Sequence, residues 1–130
     1  MPVKRYKNAK GRADKLYSEI IRSLGYCEAE GWGGKCSKQL QTAHICSRRY
    51  SATRTDTRNS FCLCFSHHRF FTDHPREFSR FISDTWAAEF YDDVHQRSIT
   101  PTKVDWLERV AFLNRIKSGE LTLEQARNLE

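Results

Sequence analysis

The chain has 130 residues, 38% of them hydrophobic, and 22 Lys and Arg against 16 Asp and Glu give a formal charge of +6. That length suits a single domain with a modest core, and the charge points to an anionic partner, nucleic acid first. No apolar run approaches the roughly 20 residues that cross a bilayer, and an odd count of five cysteines argues against a simple disulfide framework, leaving metal binding or burial as reduced thiols.

In chain order, residues 1–10 are basic and without period (Lys4, Arg5, Lys7 and Lys10), and predict a loose arm. Ala13, Leu16, Tyr17, Ile20, Ile21 and Leu24 then recur at the spacing of one buried helical face, with Gly25 placed as a C-cap. Cys27 to Cys36 holds three glycines and reads as a loop that doubles back, bringing its two end cysteines together. Gln39 to Ile45 and Ser60 to Cys64 read as two short strands. Between them Ser47 to Arg58 has no hydrophobic period, and long connections inside small domains are usually functional.

Past His68 the pattern turns helical. Asp73-His74-Pro75 is a helix start, and Phe78, Phe81, Ile82, Trp86, Phe90 and Val94 continue a helical stripe with a break near Trp86. Thr102 and Asp105 have the spacing of a capping box before a helix whose predicted buried face is Val104, Leu107 and Ala111 with Val110, Leu113 and Ile116. Ser118-Gly119 ends it, and Thr122 with Gln125 opens a short final helix.

The chemistry-bearing side chains gather between residues 27 and 68. Cys27, Cys36, Cys64 and His67 make a Cys3His set of the kind that holds structural zinc tetrahedrally, and it would pin the first loop to the hairpin. Cys46 and Cys62 compete for the same role, and free buried thiols are the plain alternative. Charge is segregated too. Between Cys36 and Thr72 the single acid is Asp56, beside Lys38, Arg48, Arg49, Arg54, Arg58 and Arg69. Arg48, Arg49, Arg54 and Arg58 are therefore candidate phosphate contacts, or else a solvated basic face.

His44, then Asn59, then Cys64-x-x-His67-His68 resembles the HNH endonuclease motif, whose usual ending is N-x4-C-x-x-C-H; His67 stands where the second cysteine usually does. The text around it (LQTAHI, SRRYSATRTD, RN, LC, HH, FT) is similar to small HNH proteins common in phage genomes. The resemblance covers about residues 12–95 and implies an α+β fold: a zinc-stapled ββα-metal core spanning 11–95, a basic arm at 1–10, and C-terminal helices over 96–130. It further implies metal-dependent hydrolysis of DNA phosphodiesters, leaving 5′-phosphate and 3′-hydroxyl ends.

In that family frame His44 is the general base, Asn59 orients the hairpin loop and helps place the base or the ion, and His68 ligates a catalytic Mg2+ or another divalent ion, separate from the structural Zn2+. One position departs from the pattern. Many HNH enzymes carry Asp or His just before the base, and here Ala43 has no ligand atom. The ion would then rest on His68, Asn59, water and phosphate, or on a carboxylate such as Asp56, which can equally anchor the loop through Arg54 or Arg58.

Two other classes stand beside the nuclease. One is a zinc-stabilised DNA-binding module whose catalytic centre has decayed. The other is an adaptor in phage packaging, using Trp86, Phe90, Tyr91, Trp106 and Phe112. The expected partners are DNA and phage packaging or recombination proteins, with no membrane. The expected location is the cytoplasm, that of the host cell for a phage-encoded chain.

Overall fold

Ser60 to Cys64 is buried at every position, so the strand it forms has to be covered on both faces. The computed structural model describes the backbone of residues 2–130 and the side chains from residue 8 onwards. In it, β1 (Leu40–His44) pairs antiparallel with β2 (Ser60–Cys64), Leu40 opposite Cys64 and His44 opposite Ser60. Among the described residues six helices surround this two-stranded sheet: α1 (Pro2–Arg22), α2 (Phe65–Asp73), α3 (Pro75–Ser83), α4 (Tyr91–Ser98), α5 (Trp106–Lys117) and α6 (Leu123–Leu129). Short 3-10 turns lie at Ser51–Thr53 and Trp86–Glu89. The architecture is α+β, and no helix among the described residues is long and apolar enough to cross a membrane.

Strand side chains alternate between faces, and here the alternation builds two cores. Cys62 packs with Ala13, Tyr17 and Ile21 of α1, with Trp106, Val110 and Leu113 of α5, and with Ala126 of α6. Phe61 and Leu63 point the other way, into Phe71, Phe81, Ile82 and Ala87, with Ala43 beside them. Phe61 sits among aromatic rings: Phe81 at 4.8 Å, Trp86 at 5.2 Å and Phe78 at 6.1 Å between centroids. Its truncation to alanine would empty the centre of the second core, a change worth about 3–5 kcal/mol.

Several local expectations hold. Pro75 opens α3, the 3-10 turn interrupts the stripe at Trp86, and Thr122 and Gln125 form a reciprocal capping box on α6. Others are corrected. The predicted loose arm is the first part of α1, which begins at Pro2; the buried stripe extends back to Ala9, whose single methyl gives little apolar signal in sequence. The side chains of Lys4, Arg5 and Lys7 lie outside the described residues.

The cap of α5 is Asp105 itself, accepting from the Glu108 N–H, while Thr102 bonds the Thr100 carbonyl. Its buried face is Trp106, Val110, Leu113 and Ile116, leaving Leu107 and Ala111 exposed, because Trp106 sets the helix phase.

Candidate functional site

The 27–36 loop is fixed against the outer edge of β2. Glu28 donates its N–H to the Cys62 carbonyl at 2.8 Å, and its carboxylate accepts the Cys62 N–H at 2.8 Å and the Trp86 indole N–H at 3.0 Å. This brings Cys27 alongside Cys64, at the end of β2. Cys64 is also the N-cap of α2, its sulfur accepting the His67 N–H, which turns the His67 ring inward.

Cys27, Cys36, Cys64 and His67 converge, their ligand atoms all within 4.8 Å of one another. The His67 Nδ1 lies 3.6, 3.5 and 3.2 Å from the sulfurs of Cys27, Cys36 and Cys64. Bonds of about 2.3 Å to sulfur and about 2.0 Å to nitrogen at a tetrahedral angle put such pairs roughly 3.5 Å apart. The opposite ring nitrogen, Nε2, donates to the Gly33 carbonyl at 2.6 Å, which leaves the Nδ1 lone pair for a metal. Gly33 and Gly34, both at positive φ, let the loop reverse to present that carbonyl and Cys36 together.

This cluster can hold a metal ion such as zinc. Electrostatics favour it. Burial raises the Cys64 thiol, but N–H donors from His67 and Ser37 outweigh that and bring it down to about 6. Desolvation within the cluster and the neighbouring Cys27 and Cys64 push the Cys36 thiol up to about 12, although the residue is otherwise exposed. Several thiolates together repel one another, and a divalent cation removes that repulsion. Cys46 and Cys62 lie outside the cluster, Cys62 in the α1–α5 core with its thiol raised to about 11 by burial.

A second region is open. A cleft of about 620 Å³ runs along the free edge of β1, lined by Gln39 to Thr42 and His44, by Asp14, Tyr17, Ser18 and Arg22 of α1, and by Arg48 and His68. A smaller cavity of about 300 Å³ adjoins it and shares both histidines, with Ala43 in its wall. His44 donates its Nε2–H to the Arg54 carbonyl at 2.9 Å, leaving the Nδ1 lone pair unprotonated. Its ring leans on Tyr17, 5.4 Å between centroids. Burial holds His44 below the ordinary imidazole range. His68 donates from Nδ1 to the Gln41 Oε1 at 2.7 Å, leaving Nε2 as its acceptor, and burial lowers it as well.

The 46–59 loop is held by the buried side chains of Asn59 and Asp56. Asn59 is fully buried; its Oδ1 accepts the Cys46 N–H at 2.7 Å and its Nδ2 donates to the carbonyls of Cys46 and Thr53. It orients the loop, as expected, but its amide is occupied there, which corrects its assignment as an ion ligand.

Asp56 is also buried, bound by Arg58 at 2.9 Å and Arg97 at 2.9 Å, so it anchors the loop and has no oxygen directed at the cleft. Arg58 spans Asp56 and Asp93 and is 6% exposed. Arg54 is clamped by both Asp14 oxygens at 2.8 and 2.9 Å. Arg58 is thus buried, and Arg54, 22% exposed, is held in its ion pair, so neither presents a free guanidinium of the kind expected for phosphate contact. Arg48 and Arg49 remain exposed, Arg49 against the Tyr50 ring.

Of the aromatics weighed for an adaptor face, Trp106 is buried, Arg127 covers Trp86 at 3.7 Å, and Tyr91 is exposed. Composition and motif did not single out Gln41, Asp14 or Arg22. Two patterns would have found them: alternation along β1 puts Gln41 on the Ala43 face, and Asp14, Ser18 and Arg22 repeat at i, i+4 and i+8 on α1. Comparison of the chain with protein-family models, with curated proteins and with solved structures found no match.

Proposed function

We propose that this protein is a metal-dependent nuclease of the HNH type, hydrolysing DNA phosphodiesters in the cleft beside β1, with the Cys3His cluster as its structural zinc site. The observation that carries the reading is the pairing of His44 and His68 in one open cleft. Each has one ring nitrogen fixed by a protein acceptor and the other left as a lone pair.

His44 Nδ1 takes a proton from water as the water oxygen bonds to phosphorus; the bond from phosphorus to the leaving oxygen breaks, and that oxygen is protonated by solvent. Burial keeps the base neutral near neutral pH, ready to accept. The hydrogen bond to the Arg54 carbonyl fixes both its tautomer and its direction. His68 Nε2 is the side-chain atom that would hold a divalent ion in this cleft. Such an ion, when bound, supplies Lewis-acid stabilisation of charge on the phosphate. Arg48 holds the phosphate chain at the cleft wall.

Plasmid relaxation with Mg2+, Mn2+ or Ni2+, run beside His44→Ala, tests this. Cleavage is expected, reduced about a hundred- to ten-thousandfold in the variant, whose Cys3His metal content stays unchanged. Ala43 favours a second reading: with no donor before the base, the cleft binds DNA without cutting it. No cleavage by the parent protein with any ion would select that reading.

A further inference from the structure

Half of the basic residues expected to touch phosphate are locked in ion pairs, so the positive charge of the cleft has to come from elsewhere. On α1, Asp14, Ser18 and Arg22 lie one turn apart in succession and all line the cleft. Ser18 shares a hydrogen bond of 3.0 Å with Thr42 of β1, which seats this helical stripe against the strand. Asp14 at one end is neutralised by Arg54. Arg22 at the other end is exposed, and among the described residues it has no carboxylate partner; its Nε bonds the Ser18 carbonyl, and both terminal NH2 groups are left for a ligand. Glu19, one turn before it, pairs with Lys117 instead. Arg48 is likewise exposed and has no carboxylate partner among the described residues.

We propose that Arg22 is a phosphate-binding residue, acting with Arg48 on the wall of the cleft that holds His44 and His68, so that α1 forms a second wall of the nucleic-acid groove. This rests on the nucleic-acid reading of the cleft. A guanidinium suits the task because its donors match phosphate oxygens in pairs. The remaining wall is uncharged (Tyr17, Ser18, Gln39, Leu40, Gln41 and Thr42), so no anionic side chain other than the neutralised Asp14 opposes the ligand there.

The experiment is a salt titration of duplex binding by the full chain carrying His44→Ala, which prevents turnover, with a short mixed-sequence duplex as probe. Added Arg22→Ala is expected to weaken binding roughly three- to tenfold, with no dependence on sequence, and to lower the slope of log affinity against log salt by about one. Arg22→Lys keeps the slope. Lys103→Ala, which removes the same charge from a position outside the cleft, reports the non-local effect. Equal affinity and slope for Arg22→Ala and Lys103→Ala would overturn this role for Arg22 while leaving DNA binding in place. No duplex binding by the His44→Ala chain would overturn the nucleic-acid reading itself, and this inference with it.

Discussion

His67 and His68 are neighbours in the chain and sit in opposite kinds of site. His67 is buried, its two nitrogens committed to three sulfurs and to the Gly33 carbonyl, in a cluster that needs no further ligand. His68 is half-buried in an open cleft, with one nitrogen committed to Gln41. A full donor set makes a staple, whereas an incomplete one leaves room for substrate. Successive residues on a helix are turned about a quarter-circle apart, so one step along α2 separates the two roles.

Removing the staple is the hardest test of that contrast. Chelation, or Cys64→Ala, is expected to release the metal and abolish cooperative unfolding of the hairpin, since metal binding in such clusters supplies on the order of ten kcal/mol of folding energy. Metal content read beside thermal unfolding checks it; an unchanged midpoint after complete metal loss would make the cluster dispensable.

The cleft side is broken more gently. Asn59→Ala strands the Cys46 N–H and two carbonyls inside the loop and is expected to cost about 2–4 kcal/mol. The Cys3His metal should remain bound while cleavage falls, because the Arg54 carbonyl that directs His44 belongs to this loop. Denaturant unfolding and metal analysis on one sample decide it; coupled loss of metal would mean the two regions fold as one.

The smallest effect is in pH. Burial holds His44 below the ordinary imidazole value of about 6.5, so the acidic limb of the cleavage profile should lie below that value and the rate should be flat near neutrality. The sign for stability agrees: below 6.5 the unfolded chain takes up a proton that the folded His44 resists, so stability is full above that pH and declines beneath it. An acidic limb above neutral pH, absent in His44→Ala, would mean that the base is not desolvated.

Much of this was legible in the residues. The Cys27, Cys36, Cys64 and His67 set was read from ligand type and spacing, because thiolate and imidazole groups near a doubling-back loop have few other joint uses. The strands, the Pro75 start and the Thr122 box were legible because hydrophobic period and capping are local. Where charge was concerned, sequence was a partial guide: the Asp56–Arg58 pair is local and was weighed, but Arg54 read as a surface cation and the acid that neutralises it, Asp14, lies 40 positions away, as the second partner of Arg58, Asp93, lies 35 away.

The chain by itself determined which donors exist and the local geometry that gathers them, through side-chain chemistry and short-range backbone preference. Only the tertiary structure decided which face each donor meets and which charges remain uncancelled. It set α1 beside β1, clamped Arg54 on Asp14, and left Arg22 and Arg48 exposed on the cleft wall. The physical reason is that burial and ion pairing depend on long-range packing, and no spacing along the chain encodes the partner across a fold.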